Sequence, residues 1–181
     1  MTNLDEVRPV WAEINLDNLA HNIKEVRRVT KKDALVTAVV KANAYGHGSI
    51  MAAKIFLENG ADRLAVATLS EGIELRRAGI KAPILILGCT PEHQAKFAIE
   101  NDIIQTVCSY ENAKVLSDIA KSMDDIAKIH IKIDTGMHRL GFSKEDIPEL
   151  VERIKAQNGV YIQSIFSHLA ASESWNFDSF T

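Results

Sequence analysis

Short apolar runs recur along the chain, separated by segments in which apolar positions return every third or fourth residue. The first run, 10–16, alternates: Val10, Ala12, Ile14 and Leu16 point one way and Trp11, Glu13 and Asn15 the other, the period of a half-buried strand. Asp17 then reads as the N-cap of a helix whose Leu19, Ile23 and Val26 share a face. Runs at 34–40, 63–67, 84–87, 103–107, 129–133 and 160–166 have the apolar character of strands buried on both faces. Helix punctuation lies between them. Thr90-Pro91 is a cap followed by proline, Thr68 with Glu71 and Ser143 with Asp146 fit capping boxes, and Gly79 and Gly159 stand where C-caps belong. A further helix start, capped by Ser174 or Asn176, runs toward Thr181.

Strands spaced by single helices imply parallel pairing. The six βα units follow the leading strand, and no Gly-rich phosphate fingerprint follows the first of them. That pattern predicts an α/β fold of the (β/α)8 TIM-barrel type over a dinucleotide-binding fold. A closed barrel takes eight strands and about 250 residues. With 181 residues the chain is expected to supply about six of those eight units. The expected organisation is a leading strand within 1–16 and an incomplete barrel over 17–181, with no linker or internal repeat between them.

Composition narrows the function. Hydrophobic residues at 46% and charged residues at 25% exclude a disordered, collagen-like or coiled-coil chain. A formal net charge of -3 lacks the basic surplus that nucleic acid or an anionic membrane would demand. The N-terminus has acidic residues where a signal peptide is basic and then apolar, and no apolar stretch approaches the roughly 20 residues of a membrane span. Cys89 and Cys108 fit no metal-ligand spacing and are too few for a disulfide framework. They are expected to pack as small apolar groups in a reducing compartment. The expectation is a soluble cytoplasmic protein with no nucleic-acid, membrane or metal partner.

Three strands break the apolar rule at their C-terminal ends, where a barrel carries its active site. Leu35, Thr37, Val39 and Lys41 share a face, which sets Lys41 at the mouth with its stem buried. A lysine desolvated there becomes a nucleophile suited to a Schiff base; the alternative is a lysine that snorkels to solvent. In the fifth strand Ile129, Ile131 and Ile133 face the helices, and His130, Lys132 and Asp134 face the other way. The loop 135–141 follows, with Arg139 either an anion clamp or a surface arginine. The sixth strand ends in Ser167-His168, again polar at the rim, while His21, His93 and the charges of 71–77 read as solvated helix positions.

The run Val39-Val40-Lys41-Ala42-Asn43-Ala44-Tyr45-Gly46-His47-Gly48 resembles the pyridoxal phosphate attachment motif of the bacterial alanine racemases. Lys132-Ile133-Asp134-Thr135-Gly136-Met137-His138-Arg139-Leu140-Gly141 and Phe166-Ser167-His168-Leu169-Ala170 resemble further stretches of that family in the same order. The resemblance covers nearly the entire chain and implies a barrel of pyridoxal phosphate fold type III. It implies that Lys41 holds the cofactor and serves as the base on one face of the substrate, that Tyr45 meets the cofactor phosphate, and that Arg139 lies by the ring's phenolic oxygen and the substrate carboxylate. Lys132, often carbamylated in that family, would steady Arg139, and His168 would pack beside the ring, with Asn43 and Asp134 in support. The implied activity is the interconversion of L- and D-alanine for peptidoglycan, in a homodimer with shared active sites. The family's phosphate-binding Asn-Ser pair, its pyridine-facing arginine and its second catalytic base match no residue here, so the chain alone is expected to be inactive. The leading strand would pair with the family's C-terminal β-domain, and the unpaired edges at 34–40 and 160–166 of an unclosed barrel are expected to make the chain prone to aggregate.

Other readings within the same fold are a broad-specificity or serine racemase, or a decarboxylase. A different class is a non-catalytic barrel of the pyridoxal phosphate homeostasis type. The Tyr45-Gly46-His47-Gly48 continuation weighs against both the decarboxylase and the homeostasis protein; the short length favours the latter, but the Lys132 and Arg139 constellation weighs further against it.

Overall fold

The computed structural model describes residues 10–177. Its strands are β1 (Thr37–Val39), β2 (Arg63–Val66), β3 (Ile84–Cys89), β4 (Ile104–Val107), β5 (Ala127–Lys132) and β6 (Val160–Phe166). They form one sheet in the order β1-β2-β3-β4-β5-β6, and every neighbouring pair is parallel. Helices α1 (Leu16–Val29), α3 (Ser49–Glu58), α4 (Leu69–Arg77), α5 (Ala95–Glu100), α6 (Tyr110–Ser122) and α7 (Ile147–Lys155) accompany the strands, and a short element, α2 (Lys41–Tyr45), follows β1. Right-handed crossovers between strands laid down in sequence order keep the helices on one face. A doubly wound sheet would instead reverse direction partway and return to the other side of its first strand. The winding is that of a TIM barrel, incomplete at six strands.

Alternation along each strand divides the core. Leu64, Val66, Ile84 and Ile86 pack with Ala52, Ala53 and Leu75 of α3 and α4. Val107, Ile129 and Ile131 pack with Leu116, Ala120, Leu150 and Ile154 of α6 and α7. Residues one position away face inward, where Ala65, Leu85 and Ile104 meet Leu87 and Phe166. Burying such aliphatic side chains stabilises by about 1.5–3 kcal/mol each, so this outer layer carries most of the fold.

Several expectations from the sequence are corrected. Where the leading strand is expected, the described residues 10–15 carry no regular structure in this chain, and residues 1–9 lie outside the described part. A strand exists only as part of a ladder, and no described strand pairs with this segment. Val10 and Trp11 are accordingly exposed. The cap of α1 is Asn15, whose side chain accepts from the Asn18 N–H, and Asp17 sits in the first turn. The segment after Thr90-Pro91 opens as a 3-10 turn, Glu92–Gln94, before α5. Ser143 does bond Asp146, at 2.7 Å, but α7 starts only after Asp146. The segment at Ser174 forms a 3-10 turn, Trp175–Phe177, and residues 178–181 lie outside the described part.

The capping box of Thr68 and Glu71 is present, and Gly79 ends α4 in the left-handed region at φ 87°. Gly159 is a glycine for another reason: a Cβ there would overlap the Ser117 carbonyl of α6. Cys89 and Cys108 do not stay separate. They stand at the ends of the adjacent strands β3 and β4, their Cα atoms 6.7 Å apart, and are joined as a disulfide. Parallel neighbours bring strand ends together across a sequence separation of 19, which no local spacing reveals.

Candidate active site at the C-terminal rim

The polar residues singled out in the sequence stand at the C-terminal ends of β1, β5 and β6. The two margins of the sheet face one interior cavity of about 460 Å³, lined by Thr37 and Val39 from β1 and by Gln163, Ser164 and Phe166 from β6, with His130 between. A larger cavity of about 610 Å³ lies between the start of α4 and the β3–α5 connection, and neither cavity is lined by Lys41, Asn43, Tyr45, Lys132, Asp134, Arg139 or His168.

Lys41 follows directly on the buried Val40 and is itself half-buried. Among the described residues it has neither a hydrogen bond nor an ion pair, so its amine is free to react. The chain after it takes an unusual path. Ala42, Asn43, Ala44 and Tyr45 have φ of 51°, 54°, 52° and 54°, a left-handed turn of four residues that are not glycine. Each L-residue there costs about 1–2 kcal/mol, so contacts outside the turn must hold it. Asn43 Oδ1 accepts from the Ser49 N–H at 2.8 Å, tying the turn to the start of α3. His47 Nδ1 bonds the Ala44 carbonyl at 2.8 Å. Gly46 and Gly48, at φ 90° and 87°, turn the chain into α3. Tyr45 is left with its ring exposed.

On β5, Ile129 and Ile131 are buried against the helices as expected, and His130 and Lys132 are buried on the inner side. His130 Nε2 lies 3.3 Å from Gln163 Oε1, and its ring meets Phe166 edge-on. Burial pushes the His130 imidazole below its ordinary value; Gln163 opposes the shift and Arg63 adds to it. Lys132 donates to the Ile133 carbonyl at 2.9 Å, with its ammonium 5.4 Å from the Phe166 ring centre. Burial also lowers Lys132; Asp134 opposes that shift and the nearby Arg139 charge adds to it.

The loop 134–142 closes on itself. The Asp134 N–H donates to the Phe142 carbonyl and the Phe142 N–H to the Lys132 carbonyl, each at 2.9 Å. Gly141, at φ 121°, passes so close to Asp134 that a Cβ would lie 2.6 Å from its nitrogen. Asp134 Oδ1 accepts from the Gly136 N–H at 3.1 Å and the His138 N–H at 2.9 Å, and Oδ2 pairs with His138 Nδ1 at 2.9 Å. These bonds, the His138 N–H first, hold the Asp134 carboxyl below the usual carboxylate range. Arg139 follows, exposed and without a hydrogen bond or ion pair among the described residues. Thr135 Oγ1 donates to the His168 carbonyl at 3.3 Å, which binds this loop to the end of β6. The His168 side chain is exposed.

The structure therefore links Lys132, Asp134, Arg139 and His168 through the loops that follow β5 and β6, and carries Lys41, Asn43 and Tyr45 after β1, at the other margin of the sheet. It adds one residue that sequence reading assigned to a helix face, Glu71, whose carboxylate reaches the turn after Lys41. Among the described residues no cluster of histidine, cysteine and acidic side chains is arranged to hold a metal, and no helix is long and apolar enough to cross a membrane.

Residues 14–181 match the family model of the alanine racemase N-terminal domain. An alanine racemase of Clostridium tetani is 50% identical over 169 residues, covering 92% of this chain and 43% of that protein. The solved alanine racemase of Clostridium difficile 630 superposes with a TM-score of 0.90 at 40% identity, over 96% of this chain and 49% of that one. A histidine racemase of Leuconostoc mesenteroides superposes with a TM-score of 0.84 at 28% identity, over 92% of this chain and 45% of that one. The chain thus spans a little under half the length of these relatives.

Proposed function

Since the chain belongs to the alanine racemase family, through its N-terminal domain, we propose that it carries the lysine-bearing part of a pyridoxal-phosphate-dependent racemase acting on alanine. The observation that carries this reading is Lys41: an amine at the barrel mouth, half-buried and without a partner among the described residues. The side chains at the two margins suit the groups of the cofactor. An unpaired guanidinium suits an anionic oxygen, an exposed phenol suits a phosphate, and Leu87 and Phe166 offer apolar surface to a ring. Bound there, pyridoxal phosphate supplies a carbonyl and an electron-withdrawing ring that together make an amino acid's Cα proton labile.

This chain's residues then divide the work. Lys41 holds the cofactor and exchanges a proton with Cα from one face. Tyr45 donates to the phosphate, and His168 packs beside the ring. Arg139 holds the substrate carboxylate and faces the phenolic oxygen. Lys132 steadies that guanidinium, and its lowered pKa favours the neutral amine that carbamylation by carbon dioxide requires. Asn43 and Asp134 support the two loops. The same reading makes the full protein a cytoplasmic homodimer that supplies D-alanine to peptidoglycan. A second substrate is kept open by one observation, the histidine racemase of like fold. The higher identity to alanine racemases favours alanine.

The test is to add pyridoxal phosphate to the chain, reduce with borohydride, digest and locate the pyridoxyl group by mass. Modification confined to Lys41 supports the reading; label scattered over several lysines, or none, overturns it.

A further inference from the structure

Glu71 belongs by sequence to the start of α4, where it completes the capping box with Thr68. Its carboxylate does more than cap. Oε2 accepts from the Ala67 N–H at 2.7 Å and the Thr68 N–H at 3.2 Å, at the end of β2. Oε1 turns the other way and accepts from the Ala42 N–H at 2.7 Å. That amide belongs to the peptide immediately after Lys41, and Glu71 is its hydrogen-bond acceptor. The left-handed turn of 42–45 is anchored from its far side by the Asn43–Ser49 bond and closed internally by the Ala44 N–H on the Val40 carbonyl. At its near side, where Lys41 leaves the sheet, the Glu71 carboxylate clasps it to the neighbouring strand end.

We propose that Glu71 is a positioning residue for Lys41, fixing through the Ala42 amide the direction in which the lysine leaves β1; its consequence for the cofactor rests on the reading of Lys41 given above. The chemistry requires a carboxylate. Donors approach it from two sides, and each oxygen accepts from its own side. A glutamine has one acceptor oxygen and an amide group that would meet an N–H, so it serves one strand end and releases the other.

The experiment compares Glu71→Ala, Glu71→Gln and Thr68→Ala in the 181-residue chain. Thr68→Ala weakens the same helix start without touching the Ala42 contact and so reads the purely structural cost. Both Glu71 variants are expected to slow pyridoxal phosphate and borohydride labelling of Lys41 by roughly 10- to 100-fold and to spread label onto exposed lysines. Thr68→Ala is expected to label Lys41 at the wild-type rate. Hydrogen exchange at the Ala42 amide accelerates in the Glu71 variants alone. Wild-type labelling in both Glu71 variants, or an equal loss in Thr68→Ala, overturns the proposal. If Glu71→Ala does not fold, Glu71→Gln carries the comparison. If the wild-type chain takes no label at Lys41, the cofactor reading fails by itself. Ala42 exchange and the rate of Lys41 acetylation by acetic anhydride then decide the role of Glu71: a change in both sustains it, and no change in either overturns it.

Discussion

Asp134 shows how much one side chain can settle. Its two oxygens hold the Gly136 and His138 amides and the His138 ring, and the next residue is the unpaired Arg139. Asp134→Ala should release that turn and raise hydrogen exchange at Gly136 and His138 by at least roughly tenfold, the scale of losing hydrogen bonds to a charged acceptor. His138→Gly should leave exchange at Gly136 near the wild-type rate, because glycine accepts the φ of 53° found there and the two backbone bonds remain. Equal exchange in wild type and Asp134→Ala would remove Asp134 from the account. His130 makes a second prediction. Its folded pKa lies below the ordinary value of about 6.5, so over that interval the unfolded chain binds more protons. Stability is therefore full above about pH 6.5 and falls as the pH drops below it. The melting temperature should decline between about pH 7.5 and 5.5, and His130→Asn should flatten that decline. At this scale the inward polar positions were legible, because His130, Lys132 and Asp134 stand out on an otherwise apolar strand. The second role of Glu71 was not: the capping box marks it only as a helix start, and its bond to Ala42 crosses 29 residues.

Among elements, two glycines with the same sequence reading separate by physical cause. Gly79 terminates α4 at φ 87° with open space where a Cβ would go, so Gly79→Ala costs the left-handed penalty of about 1–2 kcal/mol. Gly159 carries no such φ, but its N–H bonds Ser117 Oγ at 3.2 Å and its Cα rides against the α6 backbone. Gly159→Ala must push β6 from α6, an overpacking cost of about 1–3 kcal/mol or more. Denaturant midpoints should fall in both variants, and hydrogen-exchange protection around 117 and 127 should drop in Gly159→Ala alone; protection kept there would show that the sheet and helix give way without cost. The six main strands were readable because each is an apolar run bounded by turn residues. The segment 10–15 carries no strand here because alternation reports a residue's two faces, whereas a strand also needs a partner ladder, and no described strand supplies one. The pairing of Cys89 with Cys108 escaped for the same reason, since it depends on which strands become neighbours.

At the scale of the whole molecule, sequential winding concentrates chemistry and exposure in the same places. Lys41 leaves one margin of the sheet and His168 the other, so the site spans the two strands that have a single neighbour among the described residues, β1 and β6. The margins also carry apolar surface: Leu35 is 57% exposed and Val39 38% beside β1, and on β6 Tyr161 is 58% and Ile165 45%. Parallel strands present unpaired N–H and C=O groups along such margins, and apolar side chains there favour pairing with another chain. The 181-residue chain should therefore associate as its concentration rises, with sedimentation shifting to larger species and an apolar dye bound in proportion. Ile165→Lys, a charge on the β6 margin away from the proposed cofactor contacts, should shift the distribution toward monomer while leaving Lys41 labelling in place. A chain that sediments as one monomeric species at every concentration, melts cooperatively and binds no dye would show that the margins are self-satisfied. If Ile165→Lys instead removed association and Lys41 labelling together, the lysine site would depend on contact across the β6 margin, and the six strands could not assemble it by curling alone.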